Sequence, residues 1–310
     1  LSALGASFSQ EAEALKAEVY RLTGVHGFNL NSPQQLGKVL FETLGLKAGK
    51  KTQRGYSTDA DTLEALANEH PCIAPILRYR QVVKLNSTYI DALLRKMDAK
   101  GRVHTFFDQT GTATGRISSS EPNLQNIPIR TELGREIRRA FIAAPGCLLT
   151  DADYSQIELR VLAHFSQDAA MVDAFQKGQD IHTRTAAEVY GVPMEQVTPA
   201  MRSSAKAVNF GLVYGISEFG LSRNIGVSRK EAAEFIARYF ARYPGVKKFM
   251  DESVRRGYDA GYAVTLMGRR RQLPELKSSN ANVRSFGERA AMNTPIQGTA
   301  ADIIKLAMVR

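Results

Sequence analysis

The hydrophobic period of this chain changes three times, and the order of the changes limits what it can fold into. Over the first hundred or so residues apolar positions recur at helical spacing. Leu36, Val39, Leu40 and Leu44, for example, share one face of a segment opened by Ser32 and Pro33 and stopped by Gly45. A second, longer helix is predicted from Ile76 to Met97. From Gly101 the pattern turns strand-like in the pieces RVHTFFDQ, EIRRAFIAA and CLLTDADY, separated by loops rich in Gly, Thr, Ser, Asn and Pro. Helical spacing returns between Gln156 and Tyr262, and GYAVTLMGRRRQLP then reads as a short hairpin with a basic tip. A helical unit, a sheet unit, a helical insert and a return toward the sheet unit make an α+β protein whose sheet unit is assembled from separated stretches.

At 310 residues there is room for two or three packed units. The 41 Lys plus Arg against 31 Asp plus Glu give a net charge of +10, which favours a polyanionic partner, nucleic acid first among them. Two cysteines, Cys72 and Cys147, exclude a disulfide framework and a multi-cysteine metal site and fit a reducing cytosol. No run reaches the roughly 20 apolar residues that span a bilayer, and LSALGASFSQEAEALK lacks the basic start and apolar core of an export signal. A soluble protein without membrane contact is expected. Ile303, Ile304, Ala307 and Met308 keep helical spacing up to the last residues, so a fragment of a longer protein is expected as well.

DYSQIELR raises a chemical question. It follows the apolar run Cys147 to Thr150 and one further acid, Asp151, so Asp153 stands at the end of a strand-like segment and Glu158 inside the helix that follows. A buried carboxylate without a partner costs several kcal/mol, so acids placed there are usually salt-bridged, hydrogen-bonded or metal-bound.

TPAMRSSAKAVNFGLVYG supplies cations. Thr198 and Pro199 open a helix that puts Arg202 in its first turn. Arg202, Lys206, Phe210 and Tyr214 then recur every four residues, which confines them to a stripe roughly 120° wide. Two cations followed by two rings suit a nucleoside triphosphate, the cations on phosphate oxygens and a ring on sugar or base. An amphipathic helix with core rings and solvated cations is the plainer reading of the same spacing. The basic loop KAGKKTQRGYST, around Lys50 and Lys51, is open in the same way between a solvated linker and a clamp on a phosphate backbone.

Together these stretches resemble the polymerase region of the A family of DNA polymerases. DYSQIELR is similar to that family's first catalytic motif and RSSAKAVNFGLVYG to its nucleotide-binding helix, while KLNSTY, TGRISSSEPNLQNIP and NTPIQGTAADIIK match in family order. The resemblance implies a right-hand fold: a thumb at about 1–100, a palm with an antiparallel sheet from 101–155 and 287–310, and helical fingers at 156–286. It implies template-directed DNA synthesis, in which deoxynucleotides are added to a primer 3′ end with two Mg2+ ions. The implied partners are primer-template DNA and deoxynucleoside triphosphates, and the implied setting is a monomer in the bacterial cytoplasm, at the nucleoid.

By the same resemblance Asp153 would be a metal ligand and catalytic residue, joined by Lys206, and the Tyr154 carbonyl would lend an oxygen to the metal. Gln156, Glu158, His182, Arg202, Lys206, Phe210 and Tyr214 would bind the nucleotide. Within that set Glu158 would be a steric gate against a ribose 2′-hydroxyl, held by Tyr214, and His182 would contact the triphosphate. Lys84, Ser87, Thr88, Arg116, Gln125, Arg289, Asn293 and Gln297 would touch the primer-template. Several of these would do so in the minor groove, where every base pair offers acceptors, so donors can test pair geometry without reading sequence.

Asp151 falls outside the family pattern and is expected to be a solvated or salt-bridged acid. The second family aspartate belongs to a His-Asp pair beyond QGTAADIIK, and no such pair occurs here, so one catalytic carboxylate of the usual two is expected. A phage-type RNA polymerase has related motifs, but an acid at position 158 argues against an enzyme that must admit a 2′-hydroxyl. A nucleic-acid-binding protein without catalysis is the rival from another class.

Overall fold

The computed structural model describes residues 1–49, 51–52, 55–129 and 131–310. The expected phosphate clamp at Lys50 and the Lys51 side chain lies outside what is described. Contacts divide the chain into two compact units, Leu1–Phe107 with Ser119–Thr150, and Asp108–Ser118 with Asp151–Arg310.

In the first unit the helix Ser2–Thr23 packs on Ile73–Leu85 around Phe8, Val19, Leu36, Leu40, Ile73, Ile76 and Val82. The Ser32 hydroxyl accepts from the Gln35 amide at 3.4 Å, Pro33 occupies the first turn and Gly45 takes the left-handed conformation at φ 68°, as the sequence leads one to expect. This helix widens from α geometry at Pro33–Gly37 to π geometry at Lys38–Thr43. The second expected helix does the same, running as Ile73–Leu85, a π segment Asn86–Ile90, and Asp91–Lys96.

Two of the three strand expectations are corrected. EIRRAFIAA begins as the end of a helix, Glu132–Arg139, because Thr131 caps it by accepting from the Gly134 amide at 3.1 Å, and Ile137 alone is fully buried in its last turns. CLLTDADY forms no strand: Leu148 and Leu149 are 91% and 70% exposed, and no described segment supplies the backbone partners that a strand requires. Only Phe106–Asp108 of RVHTFFDQ is extended in a ladder. Among the described residues every sheet has two strands.

The second unit is built on Leu159, Leu162, Met171, Ile181, Val208, Leu212, Tyr239, Tyr243 and Ile296. The expected hairpin is present, with Tyr262–Val264 antiparallel to Arg270–Gln272 and Ala263 opposite Arg271. Its basic tip is not free, because Arg269 is ion-paired with the buried Asp302 at 2.6 Å. The long helix Ala281–Val309 holds Pro295 and a run of small residues that admit close neighbours. A Cβ on Gly298 would stand 2.5 Å from Thr265 Cγ2, and Thr265 is itself held by a 2.7 Å bond to Asp302. Gly298→Ala is therefore expected to destabilise this unit by about 1–3 kcal/mol, read as a lower urea midpoint at unchanged slope.

Candidate nucleotide and nucleic-acid site

The helix Pro199–Val213 starts where its cap dictates: the Thr198 hydroxyl accepts from the Met201 amide at 3.2 Å. Arg202 follows in the first turn, exposed, with its guanidinium 2.8 Å from Asp180. Asp180 has two duties, since it also caps the helix Ile181–Tyr190 by accepting from the Thr183 amide at 2.7 Å. Burial raises the Asp180 pKa, but the bonds from Arg202 and Thr183 outweigh that and hold it at about 2. Lys206, one turn on, is exposed, and its side chain makes no hydrogen bond or ion pair among the described residues. Phe210 is half-buried against the His182 ring, centroids 5.6 Å apart. The four residues of the stripe thus line one side of the helix, two cations at its start and two rings at its end.

His182 lies under this surface, 3% exposed, with Nδ1 at 3.0 Å from Asn209 Nδ2. Burial pushes its pKa down to about 4; Arg202 and Lys206 push the same way and Asp180 opposes them. Since the folded value lies below the unfolded one, near 6.5, the unfolded chain takes up the proton first. Stability should therefore fall as pH drops from about 6.5 toward 4. Urea unfolding at pH 7, 5.5 and 4.5 should show this slope in the wild type and a flatter one in His182→Gln.

Glu158 answers half of the question posed by DYSQIELR. It is 6% exposed in the first turn of Ile157–Ser166, ion-paired with the Arg116 guanidinium, and its other oxygen accepts from the Tyr214 hydroxyl at 3.0 Å. Gln297 Nε2 reaches the same hydroxyl at 3.4 Å, and Asn293 Nδ2 donates to the Val213 carbonyl at 3.2 Å. Burial first, then the Glu158 charge, raises the Tyr214 pKa. Gln156, just before this helix, holds a left-handed backbone at φ 56°, unusual for a side-chain-bearing residue. Arg289 lies over Gly215, whose added Cβ would come within 2.6 Å of Arg289 Cγ, and donates to Ser285 Oγ at 2.9 Å. Residues assigned separately to nucleotide and to DNA are therefore joined here in one polar cluster.

Asp153 answers the other half differently. It is exposed, as are Asp151 and Tyr154, and it lines an open cleft with Ala152, Tyr154, Ile304, Ala307 and Met308. Among the described residues no three His, Cys, Asp or Glu side chains gather where they could hold a metal ion. In the first unit Lys84, Ser87 and Thr88 are exposed at helical neighbour spacing, and Gln125 is exposed beside an Asn123 turn. Asp180, Thr185 and Asn209 were missed in the sequence. The Asp180–Thr183 cap spacing could have revealed the first, whereas the other two carry no local signal.

A solved structure described as the POL domain of Pol1 from M. smegmatis in complex with DNA primer-template and dNTP matches at TM-score 0.91 and 45% identity, over 99% of this chain and 55% of that one. The model of DNA polymerase family A matches residues 1–310, and the chain belongs to that family. DNA polymerase I of Geobacillus stearothermophilus is 56% identical and that of Bacillus subtilis 54% identical, each over 100% of this chain and 35% of its own length. The expected family and right-hand fold are borne out, and the chain spans about a third of the length of these curated relatives. No described helix is long and apolar enough to cross a membrane.

Proposed function

We propose that the protein containing this chain is a template-directed DNA polymerase that adds deoxynucleotides to the 3′ end of a primer. The observation that carries this reading is the stripe Arg202, Lys206, Phe210 and Tyr214, which ends on a buried Glu158. The exposed cations attract a triphosphate, Phe210 flanks the nucleotide, and Glu158, fixed by two partners, occupies the space a 2′-hydroxyl would need. That last point disfavours a ribonucleotide polymerase. Gln156 and His182 complete the nucleotide contacts. Lys84, Ser87, Thr88, Arg116, Gln125, Arg289, Asn293 and Gln297 are proposed for the primer-template, in a thumb of about 1–100, a palm of 101–155 and 287–310, and fingers of 156–286. For Arg116 and Gln297, contact with DNA requires exchanging a partner within the polar cluster.

Asp153 and the Tyr154 carbonyl are proposed as two oxygen donors of a Mg2+ site whose other ligands the described residues do not supply. The 310-residue chain by itself should then bind primer-template without extending it at a useful rate. Single-nucleotide extension tests the reading: the whole protein should add the templated deoxynucleotide in preference to the other three and to the matching ribonucleotide. Binding by the 310-residue chain should weaken steeply as salt rises, because phosphate contacts displace counterions. Incorporation that ignores the template, or a flat salt response, would sink the proposal.

A further inference from the structure

Three polar side chains are buried between the helices Ile181–Tyr190 and Pro199–Val213: His182 at 3% exposure, and Thr185 and Asn209 at 0%. Buried polar groups persist when each finds a partner, and here the partners form a chain. Asn209 Nδ2 lies 3.0 Å from His182 Nδ1 and 3.2 Å from Thr185 Oγ1, while Thr185 Oγ1 lies 3.3 Å from the Tyr243 hydroxyl. An amide nitrogen carries two hydrogens and accepts nothing. The ring nitrogen facing it must therefore be an acceptor, so Nδ1 bears no proton and the single proton of a neutral ring sits on Nε2. Nε2 makes no bond among the described residues, yet it is not one of the fully buried atoms lacking a partner, so the small exposed part of His182 includes it.

We propose that Asn209 is a positioning residue that locks His182 in its neutral, Nε2-protonated form, so that Nε2–H points a hydrogen-bond donor at the triphosphate lying along Arg202 and Lys206. This rests on the nucleotide reading given above. The division of labour follows from the groups facing the ring. Arg202 and Lys206 supply positive charge, and Asp180 is already engaged by Arg202. With two Arg202 donors turned to Asp180, a further fixed donor beside Lys206 would help to orient a phosphate. A neutral N–H supplies it without a third charge and without change across the range where a free histidine titrates, in keeping with the depressed pKa. The other tautomer would turn a lone pair toward the phosphate oxygens and repel them.

The test is histidine tautomer assignment by long-range 1H–15N correlation on the 310-residue chain, which has five histidines. At pH 7 the wild-type His182 should show an unprotonated Nδ1 and a protonated Nε2. In Asn209→Asp, nearly the same in shape but without the amide donor, Nδ1 should become protonated. His26, His70, His104 and His164 should keep their wild-type signals and so report an intact fold. Added deoxythymidine triphosphate should shift the wild-type Nε2 signal and leave that of the variant much less perturbed. A wild-type Nδ1–H tautomer or an imidazolium at pH 7 would overturn the proposal at the Asn209 contact. A correct tautomer whose Nε2 ignores the triphosphate would overturn it at the nucleotide reading instead, so the two failures are distinguishable. If the variant does not fold, the wild-type spectrum with and without triphosphate can still overturn either point.

Discussion

Replacing Lys206 with alanine in the whole protein is expected to lower kcat/KM for the incoming deoxynucleotide roughly 10- to 150-fold, as loss of a charged hydrogen bond of about 1.5–3 kcal/mol requires. Lys206 is exposed, one turn from Arg202, and nothing in the protein neutralises it among the described residues. Its ammonium is available at no cost in broken contacts, and its removal should leave stability unchanged. Arg202→Ala is a different experiment. Arg202 holds Asp180, and Asp180 caps the helix that carries His182, so this change disturbs a cap as well as a phosphate contact. It should lower both stability and kcat/KM, whereas Lys206→Ala should lower only the second. Pre-steady-state incorporation and urea unfolding on both variants separate the cases; unchanged kinetics for Lys206→Ala would mean the stripe meets no nucleotide.

That contrast marks what could be read from the chain and what could not. Thr198, Pro199 and the four-residue spacing were enough to place Arg202, Lys206, Phe210 and Tyr214 on one helical side, because caps and helical period are local. The hairpin around Arg269 was legible for the same reason, its turn and alternating strands being close in sequence. The strand expected at CLLTDADY failed because a strand is defined by a partner, and a short apolar run does not say whether one is present. Arg116 and Glu158 are 42 positions apart, so nothing in either local pattern announces their ion pair. Tyr214 holding Glu158 was anticipated through family resemblance alone; the spacing of residues 158 and 214 contains no hint of it.

The Glu158 cluster also permits the sharpest test of sugar selection. Glu158→Ala empties the volume proposed to exclude a 2′-hydroxyl, so the preference for deoxynucleotide over ribonucleotide should fall by roughly 10- to 100-fold, the range that steric pocket changes of this size produce. The same change strands the Arg116 guanidinium and removes the acceptor of the Tyr214 hydroxyl, so deoxynucleotide incorporation should slow as well. Loss of rate and loss of selectivity therefore arrive together, and alanine alone does not separate them. Glu158→Gln does. Its side chain keeps the volume and can still accept from Tyr214, but it gives up the charge that holds Arg116. If volume sets sugar choice, Glu158→Gln should keep most of the deoxynucleotide preference while losing rate, and Glu158→Ala should lose both. If the Arg116 ion pair sets it, by holding the cluster rigid, the two variants should lose selectivity alike. An unchanged ratio in Glu158→Ala would remove the gate from this position, and with it the strongest reason to read the site as one for deoxynucleotides.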